Sequence, residues 1–226
     1  MLEIVYQDEY FVAINKPHGL LVHRSRIAAD AEEFALQLVR DQLRRKVFPI
    51  HRLDRKTSGI LVFAFAGEVA SKLQAVFESD ETQKKYLAIV RGYFPDEISV
   101  DYPLTNDRGK TQEAITVFKT LRRSELDIPF GKFITSRYSL IEAYPKTGRM
   151  HQIRKHLNHL RHPIIGDRPH GCNKQNKLFK ERWGMTTMML HASELKLTHP
   201  ITKEPLFIKA EMFETFKEMI KVLELV

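Results

Sequence analysis

The sequence predicts an α+β fold, a largely antiparallel sheet with helices packed on it. Three observations lead there. Seven or eight segments carry strand patterning against four with helical spacing. Many of the strands are separated only by short turns, which favours antiparallel neighbours over crossovers. No low-complexity linker or internal repeat divides the 226 residues, so a single domain over 1–226 is expected, large enough to bury a core.

The elements follow in order. Residues 2–7 and 11–17 read as strands joined through Asp8 and Glu9, a hairpin. Pro17 and Gly19 break the pattern. Residues 30–47 carry Phe34, Leu38, Val39 and Leu43 at helical spacing. "GILVFAF" (59–65) reads as a buried strand, and Val69, Leu73, Val76 and Phe77 mark an amphipathic helix. Strands are expected over 84–92, 113–121 and 136–145, with a loop at 103–110. Thr147 and Gly148 open a helix, "RMHQIRKHLNHL". Residues 166–186, polar and irregular, read as a long surface loop. "MMLHASELKLTHP" and "PLFIKA" pair as strands, and Phe213, Phe216, Ile220 and Leu223 belong to a closing helix.

Composition is that of a globular protein, 43% hydrophobic and 28% charged. Lys and Arg number 36 against 28 Asp and Glu, a formal charge of +8. Such a surplus suits a polyanionic partner and equally a basic protein without one. The one cysteine, Cys172, excludes an intramolecular disulfide and a Cys-based zinc site and points to a reducing compartment. No signal peptide and no apolar run of membrane-spanning length is evident, so a cytoplasmic location is expected. P-loop, GxGxxG, GxSxG and EF-hand patterns are missing, which argues against nucleotide chemistry and a serine hydrolase.

The segment "HRLDRKTSG" (51–59) holds one carboxylate, Asp54, among Arg52, Arg55 and Lys56. Asp54 is either a turn or capping residue or an ionised carboxylate acting as nucleophile or base. In "RMHQIRKHLNHLRH", Ile153, Leu157 and Leu160 fall within about 60° on a helical wheel, an apolar stripe. Arg154 borders that stripe, placed to point inward at a carboxylate, or else belongs to a solvated basic face with Asn158 and Arg161. His151, His156, His159 and His162 lack the spacing and the acidic partner of a zinc helix, and no metal is expected. Tyr86, in "KKYLAIVRG", is either a core aromatic or a base-stacking one.

"NKPHGLLVH", "HRLDRKTSG", "KKYLAIVRG", "PKTGRMHQIRKHL", "HPIIGD" and "LHASELKLTHP" together resemble the RluA-type pseudouridine synthases, in the family's order and over nearly the whole chain. The resemblance implies a long, mainly antiparallel mixed sheet flanked by helices, with a central RNA-binding cleft. It implies a cofactor-free isomerisation of uridine to pseudouridine in RNA. Asp54 would be the catalytic carboxylate, attacking C1′, adding to C6 or taking a sugar proton. Tyr86 would pack on the target base. Arg154, rather than Arg149, would pair with Asp54, and Arg52 would help hold the flipped-out conformation. Arg55, Thr57, Arg149, His151 and Lys155 are further expected RNA contacts. Within the family the likeness is to a member acting on tRNA, at uridine 65 of the T stem. An rRNA hairpin, the anticodon loop and an inactive RNA-binding module are the alternatives. Some relatives carry an N-terminal S4 domain, which is not expected in this chain; RNA contacts would come from the catalytic domain and from 166–186. A monomer without nucleotide cofactor is expected.

Overall fold

The computed structural model describes residues 1–23 and 32–226. In chain order the elements begin with β1 (Glu3–Gln7), β2 (Phe11–Lys16), α1 (Ala35–Leu43), β3 (Phe48–Pro49), β4 (Ser58–Ala64) and α2 (Gly67–Glu78). Next come β5 (Gln83–Arg91), β6 (Glu97–Asp101), β7 (Leu104–Thr105), β8 (Thr111–Gln112), β9 (Ile115–Leu126) and β10 (Ser136–Pro145). Last are α3 (Gln152–His159), α4 (Asn173–Trp183), β11 (Leu190–Thr198), β12 (Pro205–Lys209) and α5 (Glu214–Val222). The pairs β1–β2, β2–β4, β3–β4, β5–β10, β9–β10, β6–β9, β7–β8 and β11–β12 are antiparallel, in line with the largely antiparallel sheet expected. The helix expected over 30–47 is α1, shorter at both ends; residues 30 and 31 lie outside the described residues.

Two compact units are distinguishable. The first comprises Met1–Lys84 and Ala192–Glu211. Here β1 and β2 form the hairpin, and Asp8 caps its turn by accepting the N–H groups of Tyr10 (2.7 Å) and Phe11 (2.8 Å). β2 pairs antiparallel with β4, Ala13 facing Val62 and Lys16 facing Gly59. Every residue of β2 and β4 is buried. That explains their near-continuous apolar runs, since a strand covered on both faces need not alternate. Phe11, Ala13, Ile60, Val62 and Leu73 form one core with Leu195, Leu197 and Ile208.

The second unit comprises Lys85–His191 and Met212–Val226, with strand order β5-β10-β9-β6. Its core joins Ile89, Phe118, Tyr138 and Ile141 to Leu157, Phe179 and Phe216 from helices and to Leu223 at the end of α5. The loop expected at 166–186 is a correction: it contains α4. Gln175, Phe179 and Trp183 recur every fourth residue, a helical repeat that the surrounding lysines and asparagines hide in the sequence. Phe179 is fully buried, edge-on to Tyr138 at 5.5 Å, and Gln175 donates to the Tyr138 hydroxyl. Gly184, at φ 64°, ends the helix in the left-handed conformation that glycine favours. The expected loop at 103–110 likewise contains part of the small β7–β8 hairpin, and β6, unassigned from sequence, pairs with β9.

Gly59, the last residue of the Asp54 segment, has φ +107°, and a Cβ there would come within 2.2 Å of the Ala192 carbonyl oxygen. Backbone cannot yield as a side chain can. Gly59→Ala therefore combines left-handed strain with overpacking, about 3 kcal/mol or more, and a melting temperature lower by roughly 6–12 °C is expected. Thermal denaturation checks this; a midpoint within about 2 °C of wild type would contradict it.

Candidate active site

The Asp54 segment is built on two short loops of the first unit. His51 is pinned first: its ring stacks on Phe77 (centroids 4.3 Å), and its Nε2 accepts the Val62 N–H at 3.2 Å. Burial and the Lys84 charge push this imidazole down to about 3, so it is a neutral structural acceptor. Leu53 is buried and Asp54 half-buried. The Thr57 N–H donates to the Asp54 carbonyl at 3.0 Å, closing a turn, while Thr57 and Ser58 sink into the protein at 3% and 8% exposure. The turn reading of Asp54 thus holds for its backbone.

The second loop is "KPHGL", 16–20. Lys16 is completely buried, and its Nζ donates to the carbonyls of Pro17 (2.9 Å), Leu20 (2.8 Å) and Arg55 (3.3 Å). The Gly19 N–H donates to the Arg55 carbonyl at 2.8 Å, and Arg55 Nε returns a bond to the Gly19 carbonyl at 3.1 Å. One ammonium thus ties both loops together beside Asp54. Burial pushes Lys16 down to about 7, and the charge of Asp54 pushes back. His18 is pushed down to about 4 by burial and by the charges of Lys16, Lys56 and Arg55, and stays neutral. Arg52 is exposed.

In the second unit, Tyr86 lies on β5 opposite Ala143 and packs half-buried against the core. The lead into α3 is set by buried Gln152. Its Oε1 accepts from Thr147 Oγ1 (2.7 Å) and the Arg149 N–H (3.0 Å), while its Nε2 donates to the Ile115 carbonyl (2.9 Å). His151 adopts a left-handed conformation (φ 56°) at the start of α3, with Nδ1 at 2.9 Å from His170 Nε2. Arg149 Nε donates to the Glu113 carbonyl (3.0 Å), and Lys155 Nζ to the Thr105 carbonyl (3.1 Å). Both expected RNA contacts therefore also hold the strand connections before β9.

Arg154 is buried, 5% exposed, as its place beside the apolar stripe implied. It forks onto Asp167, which is 1% exposed: Nε to Oδ2 at 2.7 Å and Nη2 to Oδ1 at 2.8 Å. Burial pushes the Asp167 carboxyl up, but Arg154 and the His170 N–H outweigh it, and the net shift is downward. Removing either partner of such a buried pair leaves an uncompensated charge, typically at a cost of about 3–5 kcal/mol. The motif "HPIIGD" carries this aspartate, but nothing in its spacing reveals the pairing.

The other helix histidines are also engaged. His156 lies between Thr116 Oγ1 and the Tyr102 carbonyl, both at 3.0 Å. His159 stacks on Tyr102 at 3.8 Å, and His162 Nδ1 lies 2.8 Å from the Arg91 carbonyl. Among the described residues no three His, Cys, Asp or Glu side chains are grouped to hold a metal, and no helix is long and apolar enough to cross a membrane.

Residues 10–159, including the Asp54 segment, Tyr86 and the whole of α3, match the family model described as RNA pseudouridylate synthase. The chain belongs to the RNA pseudouridylate synthase family. The synthase is 48% identical to tRNA pseudouridine synthase C of Vibrio cholerae, over 97% of this chain and 95% of that protein. It is 46% identical to tRNA pseudouridine synthase C of Salmonella typhi, over 97% and 89%. Among solved structures it superposes on human RNA Pseudouridylate Synthase Domain Containing 4 with a TM-score of 0.73 at 26% identity, over 98% of this chain and 93% of that one. Human RNA Pseudouridylate Synthase Domain Containing 1 shares the fold, with a TM-score of 0.74 at 21% identity, over 100% and 96%.

Sequence reasoning missed Lys16 and Asp167 in this synthase. Lys16 falls near the end of a segment read as a strand, and only the fold shows its amine buried. Its burial has a pH signature. Between about 7 and the ordinary 10.5, the unfolded chain binds a proton on this amine and the folded chain does not, so stability rises with pH. The stability of wild type relative to Lys16→Met should therefore grow from pH 7 to 9, by up to about 1.4 kcal/mol per unit. Urea denaturation across that range measures it; a flat or falling difference would contradict the burial cost assigned here.

Proposed function

We propose that this synthase isomerises uridine to pseudouridine in tRNA, with uridine 65 of the T stem as its target. Identity of 46–48% over nearly the full length to relatives named tRNA pseudouridine synthase C carries the substrate reading. Asp54 is the catalytic carboxylate, Tyr86 packs against the target base, and Arg154 is the cation that serves Asp54. The cytoplasm is the compartment, and the monomer is the acting form.

The chemistry fits a lone carboxylate. The N1–C1′ bond breaks, uracil turns, and C5–C1′ forms; C5 gives up its proton and N1 gains one. No water is consumed and no group departs, so the paired carboxylates of a glycosidase have no counterpart here. The target uridine is stacked within RNA and must be flipped out, at a cost of a few kcal/mol. Contacts of Arg52, Arg55, Thr57, Arg149, His151 and Lys155 with the RNA offset that cost. Lys174 and Lys177, exposed on α4, extend the basic surface along the phosphates.

Release of tritium from 5-³H-uridine tRNA follows the C5 proton directly. Wild type should release it; Asp54→Asn should lower the single-turnover rate by ~10²–10⁴-fold, the range of a catalytic acid or base. The tRNA Kd should stay within about threefold, under 1 kcal/mol. Near wild-type turnover in Asp54→Asn would refute the role given to this residue, and release from rRNA alone would refute the substrate.

A further inference from the structure

We infer that Asp167 is a positioning residue of the isomerisation, fixing the plane of Arg154, and that α4 clamps it in place through Asn176. The inference rests on the catalytic role proposed for Arg154. A guanidinium is planar, with its donors at fixed angles. Two parallel bonds to one carboxylate set both its distance and its plane, so holding the Nε–Nη2 edge also sets the direction of Nη1. A single hydrogen bond would leave the group free to rotate.

Asp167 is itself held on every side. Its N–H donates to the Ile164 carbonyl at 3.2 Å, and its Oδ1 also accepts the His170 N–H at 3.2 Å. Its carbonyl accepts from Asn176 Nδ2 at 2.7 Å, while Asn176 Oδ1 accepts the Gly166 N–H at 2.9 Å. One side chain of α4 thus brackets the peptide on both flanks of the aspartate. The packing admits no slack: a Cβ at Gly166 would fall 1.9 Å from the Thr187 carbonyl oxygen, and one at Gly171 would fall 1.9 Å from that of Asp167. An ion pair this buried is poor evidence for a stabilising role, since an apolar pair of the same volume serves stability as well or better. Its use is to keep a cation charged and oriented in the interior, which a positioning role requires.

Single-turnover tritium release at saturating tRNA, with the tRNA Kd measured in parallel on the full chain, tests this. Asp167→Asn should slow the step by ~10–100-fold, the size of loss known when a metal-ligating side chain loses the hydrogen-bond partner that orients it, with Kd unchanged. Asp167→Glu, which restores the carboxylate, should recover part of the loss. In an Arg154→Lys background, where no fork can form, adding Asp167→Asn should change the rate by less than about threefold, because residues acting through one another are not additive. A wild-type rate in Asp167→Asn overturns the inference, as does multiplication of the two single losses in the double variant. Should Asp167→Asn fail to fold, Asn176→Ala reads the same clamp: a slower step at unchanged Kd supports it, and a wild-type rate overturns it. Full turnover in Asp54→Asn would instead refute the underlying site assignment, whatever Asp167 does.

Discussion

A charge taken out of water must find oxygen partners, and that constraint organises both candidate site regions of this chain. Among the described residues, Lys16 and Arg154 are the lysine and arginine buried in the interior. Lys16 meets three backbone carbonyls and thereby locks loop 16–20 to the turn that carries Asp54. Arg154 meets the two oxygens of Asp167 and thereby locks α3 to the loop ahead of α4. The fork offsets the burial of Arg154, while the three carbonyls offset that of Lys16 only in part; in each case the bonds exist in one geometry only, so they also order the loop.

The two cations differ in what they fix. The lysine ammonium is a point charge that gathers carbonyls from any direction, which suits tying two loops together. The arginine fork imposes a plane. A side chain that has to present its charge at a set angle is better served by the second. Histidines also brace the framework: His51, opening the Asp54 segment, accepts the Val62 N–H, and His156 lies between Thr116 of β9 and the Tyr102 carbonyl. Bond rearrangement at C1′ without net exchange of water asks for little more than one carboxylate held in a defined electrostatic setting.

Much of this was legible in the sequence, for reasons that can be named. Strand β4 carries an apolar run from Ile60 behind Gly59, and β2 runs Phe11–Ile14 apolar before Asn15, Lys16 and the break at Pro17. The apolar phase of α3 places Arg154 at the edge of the core, and it is buried there. "HRLDRKTSG" offers a turn at Asp54, and the backbone makes one there; the burial of Thr57 and Ser58 and the positive φ of Gly59 come from the fold. What escaped depends on contacts distant in sequence. Asp167 lies thirteen residues beyond Arg154 in the numbering, within a segment read as irregular loop. Helix α4 escaped because three anchoring side chains are dispersed among polar ones. Arg149 and Lys155 read as an RNA-facing surface, yet they donate to the Glu113 and Thr105 carbonyls, partners no spacing rule identifies.

The central claim concerns a reaction at one nucleotide, and a site-resolved pseudouridine map of total RNA, made with and without the protein, tests it most directly. The account predicts pseudouridine at position 65 of tRNA when the chain is present and uridine there when it is not, with other sites unchanged. Pseudouridine persisting at position 65 without the protein, together with loss at an rRNA hairpin or anticodon-loop site, would contradict it.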